Sequence, residues 1–198
     1  MSDKEHAALG PHPPGLPASP VQGGIDAAVP ASVRFPQEPI DRFLAGEISF
    51  DDLQGMSVYD AYAVAEAGHR LYQRGRTRDA QTLFEGLAMA NPYDAYFQSM
   101  LGAVFHAGGD DTSALSHYDR ALELNPEGLY ARVNRAQLHL KRGSPEDALN
   151  DLEDAIQRSQ TRGLSESEQR LIRQAQVLLR GTSQTLEVLS KASDDASI

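Results

Sequence analysis

Cysteine is absent from these 198 residues. That excludes a disulfide scaffold and cysteine-ligated zinc, and it agrees with a reducing compartment. No run of 18 apolar residues occurs, and the first thirty residues have neither a basic start nor an apolar centre. A soluble, unexported chain without a stable membrane insertion is therefore expected. Basic charge is also scarce. Eighteen Lys and Arg stand against 28 Asp and Glu, for a net charge of -10. Residues 1–35 hold only -1 of this, which leaves the remainder at -9 with no basic stripe. Such a surface is a poor candidate for nucleic acid or an anionic membrane. Catalytic signatures are missing too: there is no G-x-S-x-G, no P-loop and no dinucleotide fingerprint. The histidines His69, His106, His117 and His139 show no H-E-x-x-H spacing. No enzyme activity, cofactor or metal is expected.

What the chain does contain is a repeat of 34 residues, legible in copies at 61–94, 95–128 and 129–162. At matching offsets stand Gly68, Gly102 and Ala136; Gly75, Gly109 and Gly143; Ala80, Ala114 and Ala148; and Phe84, Tyr118 and Leu152. Further matches are Leu87, Ala121 and Ala155, then Pro92 and Pro126, with Gln160 where the array stops. Small residues let two helices approach, and large ones fill the space between neighbouring pairs. This period and pattern are the tetratricopeptide signature, one antiparallel helix pair per copy. The fold class predicted is all-α: three tandem tetratricopeptide repeats in a right-handed superhelical stack, with short N-terminal helices and a C-terminal capping helix. No copy buries its apolar face alone, so stability comes from stacking.

In chain order, residues 1–35 carry Pro11, Pro13, Pro14, Pro17, Pro20 and Pro30 without helical or alternating period, and are read as a disordered tail. Two short helices follow between residues 40 and 55, where Phe43, Leu44, Phe50 and Leu53 offer a contact for a homodimer. Ser57 caps a helix reaching about Gln73. Within the repeats, helices are predicted near 77–90, 94–107, 111–124, 128–142 and 145–158. Ser165 with Glu168 forms a capping box for a last helix to about Leu189, with a possible kink at Gly181. The tetratricopeptide domain is thus placed at 36–191, and 192–198 as a frayed tail.

The first helix of each copy lines a concave face. By register that face holds Tyr62, Ala65, His69 and Tyr72; then Tyr96, Ser99, Met100, Ala103 and His106; then Tyr130, Val133, Asn134 and Gln137. Tyrosine and methionine in such a lining suit an extended apolar peptide. A clamp for a terminal carboxylate would need cations, yet its offsets hold Ala65, His69, Met100, Tyr130 and Asn134.

Several runs carry a more specific resemblance: Phe43-Leu44-Ala45-Gly46, Leu53 to Ser57, Leu71 to Arg76, Asp79-Ala80, Leu83-Phe84, Asn91 to Asp94 and Leu101 to Ala103. In these the chain resembles the class II tetratricopeptide chaperones of bacterial type III secretion, over residues 40–160. The resemblance implies an ATP-independent protein of the bacterial cytoplasm, often a homodimer, that holds an extended segment of a hydrophobic translocator in its concave groove. Tyr72 matches a groove tyrosine of that family. The chain departs from it at Ala65 and His69, at Asn134 to Gln137, and in its longer proline-rich tail. The alternative is a tetratricopeptide scaffold or adaptor assembling a soluble complex.

Overall fold

The computed structural model describes residues 58–161 and 163–195. The proline-rich tail, the short helices and the proposed dimer residues Phe43, Leu44, Phe50 and Leu53 lie outside them. Among the described residues seven helices follow one another: α1 Val58–Gln73, α2 Thr77–Ala90, α3 Ala95–Gly108, α4 Asp111–Leu124, α5 Leu129–Lys141, α6 Pro145–Ser159 and α7 Glu166–Asp195. There is no strand among the described residues. Each helix packs on the next, while α3 also touches α5 and α5 touches α7. First helices therefore form one layer and second helices the other.

The turns inside the repeats are three copies of one device. Gly75, Gly109 and Gly143 take φ of 76°, 86° and 76°, a left-handed conformation that costs glycine little. After each glycine, the N–H of Arg76, Asp110 or Ser144 donates to the carbonyl of Leu71, Phe105 or His139, at 2.9, 3.0 and 2.9 Å. These Schellman closures satisfy carbonyls that a helix end leaves over. Between repeats the chain turns on Asn91-Pro92 and Asn125-Pro126. There the asparagine side chain accepts from the N–H of Tyr93 at 3.3 Å and of Glu127 at 3.1 Å. Proline then prevents the helix from running on.

Close approach of the paired helices is visible at the small offsets. A Cβ on Gly68 would lie 2.8 Å from the Phe84 ring, and one on Gly102 would lie 2.5 Å from the Tyr118 ring. In the third copy Ala136 faces the same offset, and there the large partner is the narrower Leu152. All nine residues at the offsets of Ala80, Phe84 and Leu87 are buried. Burying each large side chain contributes roughly 1.5–3 kcal/mol. The core runs through the stack as clusters that each cross a repeat boundary or join the last repeat to α7.

Helix α7 closes the array: Leu171, Ile172 and Ala175 join one buried cluster with Leu129, Val133 and Ala136 of α5 and Ala148, Leu152 and Ala155 of α6. Its start is the predicted capping box: the Ser165 N–H donates to Glu168 at 3.0 Å, and the Glu168 N–H donates to Ser165 Oγ at 3.3 Å. The helix passes through Gly181 and continues to Asp195, beyond the expected end near Leu189 and into the stretch read as a frayed tail. After Gly181 the sequence has no glycine or proline to stop it, and Lys191 pairs with Glu187 one turn back at 2.6 Å.

Candidate functional site

The concave layer is built from α1, α3 and α5, and its most regular feature is a tyrosine at one offset in each: Tyr62, Tyr96 and Tyr130. Asp94 joins the first rung to the helix that carries the second. As N-cap of α3 its side chain accepts from the N–H of Tyr96 at 2.8 Å and of Phe97 at 3.3 Å. Its other oxygen accepts from the Tyr62 hydroxyl at 2.5 Å. One carboxylate thus caps a helix and pins a side chain of the preceding repeat. The Tyr62 and Tyr96 rings stack at 5.9 Å, and Phe97 lies 5.3 Å from Tyr62. Burial, followed by the Asp94 hydrogen bond and charge, pushes the Tyr62 phenol far above its ordinary value. Burial and the Glu66 and Asp94 charges do the same to Tyr96. Both remain neutral hydroxyls at any physiological pH.

The expected groove residues divide into two groups. Tyr62, Ala65, Tyr72, Met100, Ala103, Val133 and Asn134 are buried, whereas His69, Tyr96, Ser99, His106, Tyr130 and Gln137 are half-buried. A first helix in a stack has neighbours on both flanks, so the inner edge of its concave face goes into the joint between repeats and only a narrower strip faces outward. Tyr72 from the first repeat, Tyr118 from the second and Asn134 from the third meet inside: burial, with the neighbouring Tyr72 second, drives the Tyr118 phenol upward, and the Asn134 amide lies beside its hydroxyl. The face on offer is consequently polar, with imidazole, amide and hydroxyl groups between tyrosine rings. No cation replaces the missing carboxylate clamp, since Ala65, Met100 and Asn134 are interior.

Of the four histidines, His69 and His106 stand on this face. His69 Nε2 is 2.9 Å from Gln73 Nε2, and burial lowers its pKa. His117 is elsewhere, stacked flat on Phe105 at 5.2 Å with Nδ1 2.9 Å from Gln98 Oε1. His139 approaches Asp147 at 4.0 Å. Among the described residues no three histidines, aspartates or glutamates gather as a metal site.

A second constellation escaped the sequence reading. Arg132 and Arg135 on α5 face Asp151 on α6, with Arg135 gripping Asp151 by two hydrogen bonds of 2.8 and 2.6 Å and reaching Asp119 of α4 at 2.6 Å. Arg132 meets Asp154 at 2.7 Å and donates to the Pro126 carbonyl at 2.6 Å. Arg158 completes the set with Asp154 and Glu127. Hydrogen bonding to Asp151 raises the Arg135 pKa, whereas burial lowers that of Arg132. The signal was available: a 34-residue shift sets these charges at offsets that earlier copies fill differently.

A family model described as Tetratricopeptide repeat matches residues 66–128 and 112–163. Among solved structures, PcrH of Pseudomonas aeruginosa, in complex with the chaperone binding region of PopD, is 24% identical, with a TM-score of 0.61 over 67% of this chain and 98% of that one. The type III secretion translocator chaperone SycD of Yersinia enterocolitica is 21% identical, with a TM-score of 0.62 over 68% and 91%. In sequence, DnaJ homolog subfamily C member 3 of Rattus norvegicus is 27% identical over 135 residues, 67% of this chain. The chain spans about a quarter of that relative, 26% of its length.

Proposed function

Because this chain is a tetratricopeptide-repeat protein with the fold of the type III secretion translocator chaperones, we propose that it is itself such a chaperone. It acts in the bacterial cytoplasm, without ATP and without catalysing a reaction. It keeps a hydrophobic translocator soluble by holding an extended segment along α1, α3 and α5. The observation that carries this reading is the row of tyrosines at one offset, in which Asp94 pins the buried Tyr62 so that its ring backs the half-buried Tyr96 before any client arrives. Preorganised aromatic anchors bind with little entropy left to lose. The Tyr62 and Tyr96 ring centroids lie 5.9 Å apart and an extended chain rises about 3.3 Å per residue, so rungs at this spacing meet roughly every second client residue. Ser99 and Gln137 on the same face offer polar groups to the client backbone, whose N–H and C=O groups need partners once desolvated.

The test is co-expression with the apolar proteins encoded beside its gene. Tyr96→Ala with Tyr130→Ala is expected to abolish client co-purification while the chain stays helical. Retained binding would overturn the groove assignment. Tyr72 is unsuited to this purpose, since it belongs to the interior. The adaptor reading rests on a different observation, a cleft of about 510 Å³ on the outer layer lined by Leu115, Asp119, Arg120, Glu123 and Arg142. An adaptor would lose its partner on Arg120→Glu with Arg142→Glu and keep it when the tyrosines are changed.

A further inference from the structure

The concave strip leaves one need of a hydrophobic client unmet. Between its tyrosine rings stand imidazole, amide and hydroxyl groups, which suit a backbone rather than a large apolar side chain. Shelter for such a side chain lies at the far end of the same layer. Helix α7 is 30 residues long, about 45 Å at 1.5 Å per residue, and the 13-residue α5 beside it is less than half that, so α7 overhangs the end of α5. Under the overhang is a groove of about 450 Å³, walled by Leu140 and Pro145 on one side and by Leu178, Gly181, Thr185 and Leu186 of α7 on the other. Its volume falls in the range of pockets that bury a ligand. The Thr185 hydroxyl donates to the Gly181 carbonyl at 2.9 Å, so it asks nothing of an apolar occupant. A Cβ on Gly181 would meet no atom within 4 Å.

We infer that the client segment, on whose binding along α1, α3 and α5 this inference rests, runs on from Tyr130 past Gln137 and sets an apolar anchor in this groove. Register makes the two surfaces continuous. Leu140 stands at the offset that Tyr72 and His106 hold in the earlier copies, and the half-buried Gln137 lies one turn before it on the strip. In the first copy the following repeat closes that offset and Tyr72 is buried; in the third the following element is α7, and Leu140 stays half-buried. Leu140 lies ten residues along α5 from Tyr130, about 15 Å, which an extended chain crosses in about five residues. The client therefore carries a leucine, methionine or phenylalanine about five positions beyond the residue that meets Tyr130. The tyrosine row orients the backbone, and the groove selects the side chain.

The probe is a set of overlapping fluorescein-labelled peptides tiled across the apolar proteins encoded beside the gene, titrated with the full chain. Gly181→Trp fills the groove without crowding the fold, since the space around that Cβ is empty and glycine is the poorer helix former. Peptides that bind the wild-type chain are expected to bind Gly181→Trp about tenfold more weakly or worse, the scale of one buried apolar side chain. Serine substitution along such a peptide should find an apolar position whose loss is not added to that of Gly181→Trp, and another about five residues away whose loss is not added to that of Tyr130→Ala. Unchanged binding to Gly181→Trp, with binding abolished by Tyr96→Ala and Tyr130→Ala, overturns the inference and leaves the chaperone reading standing. Loss with Gly181→Trp but none with the tyrosine pair overturns the continuous path. If no peptide binds the wild-type chain, the chaperone reading fails and this inference with it. A Gly181→Trp chain that binds as wild type but loses mass by light scattering, or melts lower, also overturns it, and gives the groove to a second copy or to another segment of the chain.

Discussion

The first and third repeats place different chemistry on the same scaffold. At three corresponding offsets the first has Val64, Ala67 and Leu83, all buried and apolar; the third has Arg132, Arg135 and Asp151, joined by ion pairs. The second stands between them, with Gln98 hydrogen-bonded to His117 and Leu101 still apolar. Helix positions and turns are alike in all three. What holds a repeat in register is thus the glycine turn and the small-to-large packing at Ala80, Ala114 and Ala148, while these flanking offsets accept any group that finds its partner across the joint. Arg135 illustrates the gain, since it bonds Asp151 of its own repeat and Asp119 of the preceding one. An apolar side chain at that offset ties nothing so directionally.

The comparison breaks most severely if one partner alone is removed. Asp151→Ala leaves Arg132, whose side chain is only 9% exposed, facing Arg135 without the carboxylate they share. Arg132 keeps Asp154 and Arg135 keeps Asp119, so the expected loss is that of the charged hydrogen bonds to Asp151, about 1.5–3 kcal/mol, read as a lower midpoint in urea. Grafting the first repeat's residues together, Arg132→Val, Arg135→Ala and Asp151→Leu, should instead stay within about 1.5 kcal/mol of the parent, because replacing a buried ionic set by packed apolar groups is often neutral. Equal damage from the graft would show that the third repeat depends on its charges.

Next in size is the small-to-large pair. Gly102→Ala drives a methyl into the Tyr118 ring, 2.5 Å away, at a cost of about 1–3 kcal/mol. Tyr118→Leu in the same chain should recover most of that loss, since it reproduces the Ala136 and Leu152 pairing of the third repeat. Additive losses in the two-mutant cycle would refute the exchange of volume across this joint.

The period of 34 made most of the fold legible, because turn glycines, asparagine-proline stops and the Ser165 box each act within a few residues. Helix α7 ran longer than expected since its end has no local stop signal. The groove was legible as a layer and less so as a surface. Register says that Tyr72, Met100 and Asn134 lie on the concave side of their helices, but whether such a side chain meets a peptide or the next repeat depends on how closely α1, α3 and α5 stack, and that distance follows from the packing of whole repeats rather than from any one residue. The Arg132, Arg135 and Asp151 set was missed for another reason. Charged residues on a helix are read as solvated until their offset is compared with the buried Val64, Ala67 and Leu83.

The smallest effect expected concerns the intermediate repeat and is set by pH. Burial lowers the His117 pKa, opposed in part by the Glu85 and Asp110 charges. The unfolded chain therefore binds a proton on this residue more readily than the folded one does. Stability from this group is fully present above the unfolded value, near pH 6.5, and declines as pH falls through that value toward the lower folded one. Protonation would leave the Gln98 contact intact if Nδ1 already carries its hydrogen, so the loss comes from charging a ring stacked flat on Phe105. His117→Gln removes the titration, and the variant should lose less melting temperature than the parent between pH 7.5 and 5.5. An unchanged difference across that interval would move the acid sensitivity to His69, which burial shifts in the same direction, and with it from the joint between repeats to the concave face.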